Sequence, residues 1–317
     1  MGTGRPRRMG TGRPAVAVPV LVVLTAVALA AAGCGAGPPA LVGTVTDVPY
    51  CDLGGGPQTM DVYSPTPPPA GPAPVVVDLH GGGWVGGDAT LSAGSLDGRV
   101  EASVVGRGWV FVSVNYRLAP AARWPAQIED AMCAVRYLRA NAAALHVDPG
   151  RIGAMGASAG GQLASLLGLA GPQAGFDVGP DLDRSGAVDA VVDEYGPSDL
   201  NAPSWAASAV ARQVTPQVFG VPAGPTSAVL AGASPVTYVA PGAPPFLVVQ
   251  GQDDDVVLPA QSEELVRRLR AAGDAARLVM VGGAGHGLVP VAGRQITPSL
   301  ATLAEQVTTF FDRHLGG

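Results

Sequence analysis

The chain has 317 residues, 47% of them hydrophobic and only 14% charged, with 45 Gly and 30 Pro. That is enough apolar chain for one full core, and it excludes a disordered polyelectrolyte or a disulfide-scaffold miniprotein. All 19 cations are Arg, set against 25 acids for a net charge of −6, so the basic surface that a nucleic-acid partner demands is missing.

In chain order, Arg5, Arg7, Arg8 and Arg13 precede the uncharged stretch Ala15 to Ala32, which runs into Gly33-Cys34 and a Gly/Pro-rich segment. A charged start, an apolar middle and small residues before a cysteine are the parts of a secretory signal over residues 1–33. Ala31-Ala32-Gly33-Cys34 resembles a bacterial lipobox, which makes Cys34 the expected lipidation site and membrane attachment through that lipid the expected anchor. An uncleaved span is the competing reading, since 18 apolar residues are barely enough to cross a bilayer. The hexapeptide MGTGRP occurs at Met1 and at Met9, so either methionine can serve as the start. Removing the leader takes away four arginines and no acid, which leaves a remainder near −10. Residues 34–317 are then expected to form one exported catalytic domain, at the outer face of the cell membrane or secreted. In an oxidising compartment a Cys51–Cys133 disulfide is the natural expectation.

Beyond the leader, Thr44–Tyr50 and Thr59–Tyr63 alternate as an antiparallel hairpin, and the segment from Pro65 to Pro74 reads as a stiff linker. Apolar runs at Val75–Leu79, Trp109–Val114, Ile152–Met155, Ala187–Val192, Phe246–Gln250 and Leu278–Val281 read as buried strands. Between them, Ile128, Ala131, Met132, Val135 and Leu138 share a helical face, as do Leu265, Val266 and Leu269, and Leu300, Leu303, Val307, Phe310 and Phe311. Strand and helix in alternation predict an α/β class, with a mostly parallel central sheet flanked by helices on both faces. Residues 197–245, rich in Pro, Gly, Ala and Ser, are expected to form an irregular, lid-like insertion.

Chemistry gathers at three strand ends. Gly156-Ala157-Ser158-Ala159-Gly160-Gly161 follows the strand RIGAM and opens the apolar helix QLASLLGLA, as a nucleophile elbow does. His80-Gly81-Gly82-Gly83-Trp84 follows the strand VVVDL and supplies consecutive unhindered backbone N–H groups, suited to an oxyanion; no Lys-Ser/Thr follows, as a phosphate loop requires. Of the four histidines, His80 belongs to that loop, His146 ends a helix and His314 lies near the C-terminus. His286, in the glycine turn Gly282 to Gly287, is left as the base. The acid is expected between Ser158 and His286 in the chain, among Asp253, Asp254 and Asp255. Trp84, Tyr116 and Trp205 are candidates to line the pocket or to be aromatic packing, with packing the stronger expectation for each singly.

HGGGW, Asn115-Tyr116-Arg117-Leu118-Ala119-Pro120, Asp148-Pro149-x-Arg151-Ile152-Gly153, GASAGG and GAGHG, in this order from about Tyr50 to His314, resemble the hormone-sensitive-lipase-like carboxylesterases of the α/β-hydrolase superfamily. The resemblance implies an α/β-hydrolase fold, Ser158 as nucleophile, His286 as base, Asp254 as acid, and the N–H groups of Gly82, Gly83 and Ala159 as the oxyanion hole. It also implies hydrolysis of small-molecule esters with short-to-medium acyl groups through an acyl-enzyme, with no metal or cofactor. The sequence departs from the family pattern at Gln250, where a His is usual, at Pro259, displaced by one position, and at Ala157, where an acid is common. The amphipathic helices that cap many relatives at the amino terminus are missing, so a more open site and smaller substrates are expected. Two further readings stay open: a secreted serine peptidase or amidase of the same fold, and a catalytically silent surface-binding lipoprotein.

Overall fold

The computed structural model describes residues 43–316 apart from 225, together with the first two. The signal-peptide reading and Cys34 lie outside the described residues. The chain divides into Met1–Ala36 and Gly37–Gly317, and only the second unit is treated below. No helix among the described residues is long and apolar enough to cross a membrane.

Runs of β-branched residues build eight strands: β1 (Thr44–Cys51), β2 (Gln58–Tyr63), β3 (Ala73–Leu79), β4 (Val110–Val114), β5 (Val147–Ala157), β6 (Ala190–Glu194), β7 (Phe246–Gly251) and β8 (Ala276–Val281). They form one sheet in the order β1-β2-β4-β3-β5-β6-β7-β8. β1, β2 and β4 pair antiparallel, whereas every pair from β4/β3 to β7/β8 is parallel. The connecting helices are α1 (Leu96–Gly106), α2 (Ala126–Ala140), α3 (Ala142–Leu145), α4 (Ala159–Leu169), α5 (Pro203–Ala207), α6 (Ala209–Phe219), α7 (Ala228–Gly232), α8 (Ala260–Ala271) and α9 (Leu300–Leu315).

Two cores result, one on each face of the sheet. Val75, Val77, Val110, Val112, Ile152 and Val248 pack with α2, α4 and α8 on one face. On the other, Val76, Phe111, Met155, Val192 and Leu247 pack with Leu96, Val100 and Val104 of α1 and Val307 and Phe311 of α9. Because both faces are covered, β3 and β4 are buried at every position and read as mostly apolar runs, with one polar residue each, Asp78 and Ser113, rather than as alternating ones.

Three expectations change. Residues 197–245 are not wholly irregular but hold α5, α6 and α7; their Ala, Gly and Pro content, including Pro216 inside α6, masks helical periodicity. α1 is absent from the sequence expectations: Gly98 interrupts its apolar pattern though not the helix itself, and its start is set by Ser95, whose hydroxyl accepts the Gly98 N–H at 3.2 Å. The strand expected at Ala187–Val192 runs instead over β6, because Asp193 and Glu194 are buried strand residues rather than solvated ends.

Cys51 at the end of β1 and Cys133 in α2 are joined, with Cα atoms 6.2 Å apart and a sequence separation of 82. Closing so long a loop restricts the unfolded chain by an amount typically worth about 2–4 kcal/mol. The double change Cys51→Ala, Cys133→Ala is therefore expected to lower Tm by about 5–10 °C. A melt unchanged from wild type and insensitive to reductant would contradict this.

Candidate active site

β5 delivers its last residues directly into the elbow. Ser158, at φ 55° and ψ −115°, sits in a conformation that costs a non-glycine residue about 1–3 kcal/mol and persists only where its surroundings enforce it. The enforcement is backbone packing. The Ser158 N–H donates to the Glu194 carbonyl at 2.8 Å, and a Cβ on Gly160 would lie 1.7 Å from the Leu79 carbonyl oxygen, so β3 and the start of α4 touch main chain to main chain. Glycine at 156 is required for the same reason, since a Cβ there would stand 2.5 Å from the Gly160 oxygen.

The glycine loop after β3 is held from below by the Asn115 to Pro120 segment. Tyr116 stacks on His80 with ring centroids 4.2 Å apart, and its hydroxyl donates to the His80 carbonyl at 2.7 Å. Asn115 accepts the Ala89 N–H at 2.8 Å, the Ala119 N–H donates to the Trp84 carbonyl at 2.9 Å, and Arg117 is anchored to Asp130 and Glu129. Gly82, at φ +113°, could carry no side chain, because a Cβ would meet the Gly86 oxygen at 2.1 Å. Among the described residues, the N–H groups of Gly82, Gly83 and Ala159 donate to no protein acceptor, although Gly82, Gly83 and Ala159 all line the same cleft as Ser158. Burial lowers the pKa of His80, which keeps that imidazole neutral.

His286 bridges the other two strand ends. Its Nε2 is 3.0 Å from Ser158 Oγ and its Nδ1 is 2.9 Å from Asp254 Oδ2. Asp254 is selected from its two neighbours by the chain folding back on it: Oδ1 accepts the N–H groups of Val256 and Val257, each at 2.9 Å, and the side chain is fully buried. Asp253 turns to Arg294 at 2.5 Å, and Asp255 is exposed. His146 and His314 lie elsewhere: His146 ends α3 in the left-handed region, and the His314 ring sits tilted against Phe310 at 4.9 Å.

The cleft over Ser158 has a volume of about 470 Å³. Trp84 and Trp205 both line it, packed edge to face at 6.1 Å, so these two are pocket walls as well as packing; Tyr116 is packing alone. Three contributors escaped the sequence reading. Val210, Gln213 and Val214 place one face of α6 along the cleft, a spacing of three and four residues that is legible once the Ser208 cap is noticed. Tyr195, at φ 47°, sets its ring edge-on to His286 at 5.0 Å, and burial holds its hydroxyl well above the usual range. Val256 adds an aliphatic wall.

The family model BD-FAE matches residues 60–269, which span the glycine loop, the elbow and the Asp254 turn. The chain belongs to the BD-FAE family. Esterase LipC of Mycobacterium tuberculosis is 34% identical over 251 residues, a match that covers 78% of this chain and 61% of LipC; the chain thus spans less than two thirds of that relative. Among solved structures, a truncated carbohydrate esterase from gut microbiota superposes with a TM-score of 0.70 at 26% identity, covering 89% of this chain and all of that one. Esterase Est2 of Thermogutta terrifontis superposes with a TM-score of 0.67 at 22% identity, covering 86% and 93%, a likeness of fold. The fold of this BD-FAE member is accordingly the α/β-hydrolase fold.

Beneath the elbow of this BD-FAE domain lies a group of acids with little compensation. Asp78 of β3 and Glu194 of β6 are buried on the α1 face, where Asp97 of α1 adds a third carboxyl and both Glu194 oxygens lack a hydrogen-bond partner among the described residues. Ser113 Oγ donates to Asp78 at 3.1 Å. Burial, reinforced by mutual repulsion, pushes Asp78 and Glu194 well above ordinary carboxylates. Burial raises Asp193, on the α4 face, to about 6 despite bonds from Ser165 and Gly196. Groups whose pKa rises on folding bind more protons folded than unfolded, so stability is greatest at acid pH and falls as pH climbs from about 4 through the raised values. For Asp193 alone the loss between about pH 4 and 7 is on the order of 3 kcal/mol. Tm is expected to be several degrees higher at pH 5 than at pH 8, and Glu194→Gln should flatten that slope; a Tm that rises with pH over this range would refute it.

Proposed function

We propose that this protein is a serine carboxylic-ester hydrolase acting on small-molecule esters of short-to-medium acyl chains. The observation that carries the reading is the alignment of Ser158 Oγ, His286 and Asp254 at 3.0 and 2.9 Å, beside three N–H groups with no protein partner. Ser158 Oγ attacks the ester carbonyl while His286 Nε2 takes its proton. The carbonyl oxygen, now negative, accepts hydrogen bonds from Gly82, Gly83 and Ala159. His286 returns the proton to the departing alkoxide, and a water activated by the same imidazole releases the acid from Ser158. Asp254 fixes the tautomer and stabilises the imidazolium. The signal-like residues 1–33 support action outside the cell, either at the outer face of the membrane through a lipid on Cys34 or as a secreted protein.

The peptidase reading is less well supported, because among the described residues lining the cleft none, His286 apart, is a carboxylate or a basic side chain that could hold a peptide terminus. The test is hydrolysis of p-nitrophenyl acetate, butyrate and octanoate beside an aminoacyl p-nitroanilide. Turnover of the esters, with butyrate at least as good as octanoate, is expected. Anilide turnover without ester turnover would favour a peptidase, and a folded protein inert to all four would favour a binding role.

A further inference from the structure

We infer that Gln250 is a positioning residue of this site, a neutral hydrogen-bond donor that sets the orientation and basicity of the Asp254 carboxylate. The inference rests on the triad roles proposed above. Gln250 lies next to last in β7 and is wholly buried, and a buried amide must find partners at both ends. Its Oε1 accepts the Ser262 hydroxyl at 2.7 Å. Its Nε2 faces three acceptors: Asp254 Oδ2 at 3.2 Å, the Gly251 carbonyl at 3.1 Å and the Val257 carbonyl at 3.2 Å. A hydroxyl donor at one end and three acceptors at the other fix which end of the amide is which.

Asp254 therefore receives four donors. Val256 and Val257 occupy Oδ1, while Gln250 and His286 share Oδ2. A donor on the oxygen that His286 uses withdraws part of its negative charge, so the imidazolium is stabilised less than it would be by an unshared carboxylate. The same amide holds the Val257 carbonyl, so it also braces the turn that supplies both Oδ1 donors. Gln250 carries no charge at any pH. The charged and titratable groups facing His286 are Asp254 from the β7 loop, Tyr195 from the end of β6, and Ser158 from the elbow; the Asp253–Arg294 pair flanks the same turn.

The test compares the full chain with Gln250→Met, which keeps length and burial but removes the donor, and with Ser262→Ala, which leaves the amide and frees its other end. The midpoint of the His286 titration is read from its downfield Nδ1 proton by NMR, and separately from the acid limb of kcat/KM on p-nitrophenyl butyrate. Gln250→Met is expected to raise that midpoint by about 0.5–1 pH unit and to lower kcat by about tenfold or more, with KM within about threefold. Ser262→Ala should move it in the same direction by less. A folded Gln250→Met whose midpoint stays put, or a Ser262→Ala with no shift where Gln250→Met does not fold, overturns the inference. Because the NMR midpoint is read without turnover, an inactive wild type would count against the hydrolase reading and leave the role of Gln250 to be decided by the shift.

Discussion

Ser158→Ala is expected to lower kcat on p-nitrophenyl butyrate by about 10⁶-fold, the scale on which other Ser-His-Asp triads lose activity when the nucleophile goes. The size follows from the chemistry: without Oγ no acyl-enzyme forms, and His286 is left as a base with nothing at 3.0 Å to deprotonate. Residual rate of about 10³-fold over water should survive, since the Gly82, Gly83 and Ala159 donors still polarise a bound ester. The change removes one hydroxyl from a position that already has Cβ, so Tm should stay near that of wild type. Activity within tenfold of wild type, in protein shown to be free of contaminating hydrolase, would dismiss Ser158 as the nucleophile.

Asp254→Asn should cost about 10⁴-fold in kcat. Asn is nearly the same shape and can still accept the N–H groups of Val256 and Val257, so the turn is expected to persist. The amide nitrogen would then face His286 Nδ1, which must accept rather than donate, and the proton moves to Nε2, where it blocks the approach to Ser158. Asp253→Asn and Asp255→Asn provide the comparison. The first loses only its pairing with Arg294 and the second only an exposed charge, so each should stay within about threefold of wild type. If either matched or exceeded Asp254→Asn, the acid would have to be reassigned.

The contrast among those three aspartates explains where sequence reading succeeds and where it stops. Ser158 and His286 stand out because an elbow needs glycines on both sides of one serine, and because only four histidines compete. Asp253, Asp254 and Asp255 are chemically identical neighbours, and what separates them is two N–H groups that reach Asp254 only after the chain has turned. The residue pattern alone offers no such distinction; family resemblance was needed to single out Asp254. Strands buried on both faces, such as β3 and β4, announce themselves as apolar runs broken only by Asp78 and Ser113. β6 did not, because its buried acids imitate a solvent-exposed end. α6 went unread behind Ala and Pro although it walls the cleft, which is why Val214 and Gln213 were missed while Trp205 was at least suspected.

The link between Cys51 and Cys133 also bears on how the domain responds to force. β1 is an edge strand of the sheet and the first element among the described residues, so tension arriving from the amino terminus would unzip it from β2, one ladder bond pair at a time, rather than shear the sheet as a whole. The unzipping runs out at residue 51, where the covalent bond to α2 transfers the load to the interior. The strand freed by then is about 26 Å long, eight residues at about 3.3 Å each. A protein pulled from its amino-terminal end could thus give up that strand, with the Tyr50 hydroxyl bond to the Asn115 carbonyl, before the load reaches the Ser158 cleft, whose lining begins at Gly81.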